Sequence, residues 1–128
     1  MTVRVKICGL RRPEDARAAV RAGADALGFN FWPGSRRYVA PAEAGRIVRA
    51  LPPFVAAVGV FVNAAREEIA AAVLASGVGV VQLHGDEAPG DCLDLPVRVV
   101  KAIRVASESD VEGLAAFRDA GVGTFLLD

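Results

Sequence analysis

The sequence is short of the residues that build several classes of protein. Of its 128 residues only two are cysteines, Cys8 and Cys92, too few for a disulfide scaffold and without metal-ligand spacing. Neither sign of charge is in excess: fifteen Lys and Arg face fifteen Asp and Glu. That balance argues against a protein built mainly to hold nucleic acid or an anionic membrane surface. No apolar run reaches the roughly 18 residues of a membrane span. The amino terminus lacks the architecture of a secretory signal, and no Walker-type or dinucleotide glycine fingerprint is present. What the chain does have is core: 53% of residues are hydrophobic and 23% charged, a balance that favours packing over disorder. The expected protein is soluble and cytoplasmic.

The hydrophobic pattern alternates between two periods. Short runs rich in Val, Leu and Phe are expected as strands at Val3 to Cys8, Ala26 to Phe31, Ala57 to Val62, Val80 to His84, Val97 to Ile103 and Thr124 to Leu127. Between them lie stretches of helical spacing. Pro13 suits a first turn, with Glu14 and Asp15 at its positive end and Gly23 as a stop. Pro41 opens a second helix that Pro52-Pro53 ends. Asn63 is placed to cap a third, with Glu67 and Glu68 in its first turns and Gly77 beyond it. Glu87 to Leu95 is weakly helical. Ser107 with Asp110 forms a capping-box-like start to a last helix, which Val111, Leu114 and Phe117 make apolar and Gly121 closes. Ala22-Gly23-Ala24-Asp25-Ala26-Leu27, Ser76-Gly77-Val78-Gly79-Val80-Val81 and Ala120-Gly121-Val122-Gly123-Thr124-Phe125 repeat one unit: glycine stop, tight turn, buried strand. Alternating units of this kind imply a parallel sheet with right-handed crossovers. Either an open doubly wound sheet or part of a (β/α)8 barrel satisfies them.

In both architectures ligands collect at the carboxyl ends of the strands. Those ends carry Cys8, Asn30, Asn63, His84 and Asp128. For the asparagines, wet strand ends and turn formation are as good an explanation as function. Alternation puts Arg4, Lys6 and Cys8 on one face of the first strand and Val3, Val5 and Ile7 on the other, which must pack against helices. A barrel lumen accommodates the charged face better than a sheet covered on both sides. Thr124, Leu126 and Asp128 likewise share a face, so the carboxyl projects from the mouth of the last strand. His84 shares its face with Gln82 and Val80, and a lone histidine is more often a satisfied structural residue than a catalyst. Pro33-Gly34-Ser35-Arg36-Arg37-Tyr38 is either an ordinary basic loop or a turn whose guanidinium holds a carboxylate or phosphate. Cys92, on the weak helix, reads as an inert buried thiol.

Read in order, Val5-Lys6-Ile7-Cys8-Gly9-Leu10, Gly23-Ala24-Asp25-Ala26-Leu27-Gly28-Phe29, Ser35-Arg36-Arg37-Tyr38, Val58-Gly59-Val60-Phe61-Val62-Asn63, Val81-Gln82-Leu83-His84-Gly85, Lys101-Ala102 and Phe125-Leu126-Leu127-Asp128 resemble the phosphoribosylanthranilate isomerase family of tryptophan biosynthesis. The ordered set runs the length of the chain. The resemblance implies a (β/α)8 TIM barrel and an Amadori rearrangement of N-(5-phosphoribosyl)anthranilate, a small phosphorylated substrate, with no metal or organic cofactor. It places the general base on Cys8, the general acid on Asp128 and the arginine that holds the anthranilate carboxylate on Arg37. Lys6 and His84 are the further substrate-binding candidates.

Barrels of this kind need eight strands and at least about 200 residues. The expectation is therefore the N-terminal portion of one barrel domain over residues 1–128, with the first six strands and five helices. The loops after strands seven and eight usually supply much of the phosphate site, so no phosphate ligand is assigned and the chain alone is expected to be weakly active or inactive. Two open sheet edges would invite self-association. A competing reading is a non-catalytic half-barrel that associates with a complementary chain. A receiver- or flavodoxin-like module would need acidic residues after strand one and an aspartate ending strand three, where Cys8 and Asn63 stand.

Overall fold

The computed structural model describes residues 2–128. Six strands form one parallel sheet in sequence order: β1 (Lys6–Cys8), β2 (Ala26–Asn30), β3 (Ala56–Phe61), β4 (Val80–Leu83), β5 (Arg98–Ile103) and β6 (Phe125–Leu127). Each neighbouring pair is parallel. The crossovers run through α1 (Pro13–Arg21), α2 (Pro41–Val48), α3 (Arg66–Ser76), a single 3-10 turn at Pro89–Cys92, and finally α4 (Glu108–Glu112) and α5 (Leu114–Asp119). No doubly wound order is present, because the strands never reverse direction of addition.

The sheet is curled. Strands three spacings apart in a flat sheet are separated by about 14 Å. Yet the Lys6 ammonium on β1 donates directly to Gln82 Oε1 on β4. The concave face holds Lys6, Cys8, Gly28, Val60 and Gln82; Cys8 stands in register with Gly28, and Val60 with Gln82 two residues further along the ladder. The convex face carries Leu27, Phe29, Phe61, Val81 and Leu83, packed against Ala16, Ala44, Ile47, Ile69 and Ala72 of the helices. Alternation along each strand thus separates a polar lumen from an apolar helix layer. Among the described residues no helix is long and apolar enough to cross a membrane.

The repeated glycine stop has a conformational cause. Gly23, Gly77 and Gly121 all take positive φ, at 93°, 73° and 95°, the left-handed conformation that lets the chain leave a helix and enter the next strand at little steric cost.

Several local expectations fail for physical reasons. β1 begins only at Lys6, and the apolar face expected to lie under helices is open, with Val3 87%, Val5 46% and Ile7 40% exposed. β1 is an edge strand, and no described element covers its outer side. Asn63 does not cap α3; that position is Ala65, whose N–H donates to Glu68. Asn63 instead adopts φ 51°, which asparagine tolerates better than most residues. The single helix expected after Ser107 is broken at Gly113 into α4 and α5, although its start is as expected, with Asp110 accepting from the backbone N–H of Ser107 at 2.8 Å. The weak helix after Glu87 shrinks to the 3-10 turn.

Candidate active site

The strand ends converge as the barrel reading requires. Cys8 ends β1 on the concave face, half-buried. Gly28 stands opposite it in register, and a Cβ at that position would lie 2.6 Å from the thiol sulfur. The missing side chain is what makes room for Cys8. Directly after β1 the chain turns at Gly9, whose φ of 88° suits glycine and whose Cβ would strike the Arg37 side chain at 2.5–2.7 Å.

Arg37 is held against the same strand end. Its Nη1 donates to the Cys8 carbonyl at 3.0 Å, and its own N–H donates to Ser35 Oγ at 3.1 Å. The turn from Trp32 to Tyr38 folds back on β2 through Ser35 N–H to Trp32 O and Val39 N–H to Asn30 O, both 3.0 Å. A basic turn distant in sequence from Cys8 is thereby laid beside it, with the remaining guanidinium donors exposed.

On the other side of the mouth a polar chain links β1, β4 and β6. Lys6 donates to Gln82 Oε1. Gln82 Nε2 lies 2.9 Å from His84 Nδ1, and His84 Nε2 lies 3.1 Å from Asp128 Oδ2. Asp128 is positioned by backbone: its N–H donates to Ile103 O and its carbonyl accepts from Val105 N–H, both at 2.9 Å. The network therefore runs from the residue two before Cys8 to the carboxyl ending β6. Asp128 and His84 also line an open cavity of about 540 Å³, together with Asn63, Lys101, Arg104 and Phe117. A second groove, between α1 and α2 around Ile47 and Leu51, lies in the helix layer away from the strand ends.

Both asparagines at strand ends serve local structure. Asn30 Oδ1 accepts from Trp32 N–H at 2.9 Å, and Asn63 Oδ1 accepts from Asp86 N–H at 2.8 Å. Cys92 is buried, 3.7 Å from the Ala88 carbonyl, and burial raises its thiol above the ordinary range.

Sequence reasoning missed one pair. Lys101, 2% exposed, faces the helix layer and donates to Glu87 Oε2 at 2.9 Å, Gly85 O at 2.8 Å and Ala102 O at 2.9 Å. Glu87 in turn accepts from the N–H groups of Asn63 and Gly85 at 2.9 and 2.8 Å. Burial by itself raises the Glu87 carboxyl, but the hydrogen bonds from Lys101 and Asn63 outweigh it and hold the group below the ordinary glutamate range. The pair fastens the turn that immediately follows His84. Its one sequence signal was a lysine inside an apolar strand, which alternation assigns to the helix-facing side.

A curled parallel sheet with its polar residues at the carboxyl ends of the strands and helices on the convex side defines a (β/α)-barrel type of enzyme site. Residues 5–128 match the family model of N-(5'-phosphoribosyl)anthranilate isomerase, and the chain belongs to that family. It is 48% identical over 126 residues to the N-(5'-phosphoribosyl)anthranilate isomerase of Nitrosomonas eutropha, covering 98% of this chain and 61% of that protein. The crystal structure of the Thermotoga maritima isomerase superposes with a TM-score of 0.93 at 44% identity, covering 99% of this chain and 62% of that one. A solved isomerase in complex with reduced 1-(o-carboxyphenylamino)-1-deoxyribulose 5-phosphate gives a TM-score of 0.92 at 44% identity, over 99% of this chain and 65% of that one. The chain thus spans about three fifths of the length of the relatives it matches.

Proposed function

We propose that this chain supplies the acid–base half of an N-(5-phosphoribosyl)anthranilate isomerase, as the first six strands of one barrel domain, in the cytoplasm. The observation that carries the reading is the polar chain Lys6–Gln82–His84–Asp128. It ties the carboxyl ending β6 to the strand that presents Cys8. Asp128 enters carrying a proton and gives it to the ribose ring oxygen; the ring opens and the anthranilate nitrogen becomes a Schiff base. Cys8, as thiolate, takes the proton from C2′, leaving an enolamine that tautomerises to the ketone. Arg37, fixed by its bond to the Cys8 carbonyl, offers its free donors to the anthranilate carboxylate. Lys6 keeps two of its three N–H groups beyond the one given to Gln82 and offers them to the substrate; His84, whose two ring nitrogens face Gln82 and Asp128, meets it through the ring alone.

The phosphate end is not assigned to any described residue, because in such barrels the loops after strands seven and eight supply much of that grip. Turnover of phosphoribosylanthranilate, followed by loss of its fluorescence, should be weak or absent with the chain alone. It should appear when the chain is mixed with the remaining barrel segment of the Thermotoga maritima relative. A stable mixed assembly without turnover would contradict the isomerase reading.

A second reading, a half-barrel whose role is association with a complementary chain or with itself, is favoured by the open outer face of β1 and by Leu127, 58% exposed, on β6. It predicts the same assembly without any dependence on Cys8.

A further inference from the structure

The polar chain fixes more than the position of Asp128. Lysine has only donors, so the Gln82 amide must present its oxygen to Lys6. The opposite amide orientation would set two donors face to face. With the oxygen committed, the Gln82 nitrogen is what reaches His84 Nδ1 at 2.9 Å, and an amide nitrogen can only donate. His84 Nδ1 must then be bare, so the proton of the neutral ring sits on Nε2, 3.1 Å from Asp128 Oδ2. Orientation passes from a cation on β1 through an amide on β4 to the carboxyl of Asp128 just past β6.

We propose that Lys6 and Gln82 are positioning residues that hold His84 as its Nε2–H tautomer, and that this tautomer selects Oδ1 of Asp128 as the oxygen that carries the transferable proton. Oδ2 is occupied as an acceptor of the His84 N–H. The proton of a protonated Asp128 is thereby left to the other oxygen. A ring of the opposite tautomer would turn a lone pair toward Oδ2 and draw the carboxyl proton onto the wrong atom. Gln82 is buried, with 3% exposure, so solvent does not replace its amide. The functional consequence rests on the acid role of Asp128, whereas the tautomer itself does not.

The chain has one histidine, so a long-range proton–nitrogen NMR spectrum of the untagged, uniformly 15N-labelled protein reads this ring alone. At mildly alkaline pH the wild type should show a single tautomer with the proton on Nε2. Gln82→Glu replaces the donor with an acceptor and should move a proton onto Nδ1. Lys6→Met frees the amide to turn and should replace the single tautomer with a mixture. A wild-type ring protonated on Nδ1 overturns the proposal without any variant. So does a folded Gln82→Glu protein whose Nδ1 stays bare. In the complemented assembly Gln82→Glu should lower kcat at least tenfold while leaving KM within about twofold; equal effects on both would reduce Gln82 to a structural role. Absence of turnover in the wild-type assembly would remove the isomerase reading and leave the tautomer result standing.

Discussion

Lys101 Nζ lies 2.9 Å from Glu87 Oε2 with both side chains almost wholly out of solvent, at 2% and 4% exposure. Both groups border the open cavity that His84 and Asp128 line, and together they bind the turn that carries His84 away from β4, through Gly85 and the backbone of Asn63. Gly85 permits this closeness, since a Cβ there would overlap Asn63 Oδ1. A buried ion pair of this kind is a support whose removal from one side is costly.

Lys101→Met should therefore destabilise the fold by about 3–5 kcal/mol, because it strands a buried carboxylate. The double variant Lys101→Met, Glu87→Gln should recover part of that loss, because it removes the stranded charge while the glutamine carbonyl can still accept from a backbone N–H of the turn. Urea unfolding of the three proteins checks both statements. A single variant within about 1 kcal/mol of wild type would show that the pair does not hold the turn.

Acid should act through Glu87. Its folded carboxyl is more acidic than that of an ordinary glutamate, so on acidification the unfolded chain takes up the proton first. The stabilisation is complete above the ordinary glutamate value of about 4.3 and is lost as pH falls through the lower folded value. In Glu87→Gln the fall in urea midpoint over that acidic window should be shallower than in wild type. Parallel curves would contradict the assignment.

The two cysteines should differ in reactivity. Cys8 is half-exposed at the strand end, while Cys92 is buried and its thiol is raised by that burial. Iodoacetamide should label Cys8 and spare Cys92 in the folded protein, with peptide mass spectrometry as the readout. Gly28→Ala, which brings a Cβ against the Cys8 sulfur, should change the Cys8 rate and leave Cys92 untouched. Equal labelling of both cysteines would contradict the burial described.

Much of the fold was legible because it rests on local chemistry. Proline at the start of α1 and α2, glycine with positive φ after α1, α3 and α5, and period-two apolar runs are readable one segment at a time. The choice of a barrel over an open sheet hung on the charged side chains of β1, and the Lys6–Gln82 contact answers it. What escaped was non-local. Asn63 has the composition of a cap but is drawn into a left-handed turn by Asp86 and Glu87, residues 23 and 24 positions away. Glu87 lay in a stretch with weak helical pattern, and nothing in its neighbours announces Lys101 as its partner. Val3 and Val5 read as core by alternation; core also requires a covering element, which a strand's own residues do not encode.

The acid and base assignments are tested most directly by Cys8→Ala and Asp128→Asn in the chain complemented with the remaining barrel segment of its relative, with loss of phosphoribosylanthranilate fluorescence as the signal. Each substitution should lower turnover by at least about 100-fold, the usual contribution of a positioned acid or base, while the near-ultraviolet circular dichroism stays that of the wild type. Near-wild-type turnover in either folded variant would contradict the account and remove that residue from the chemistry.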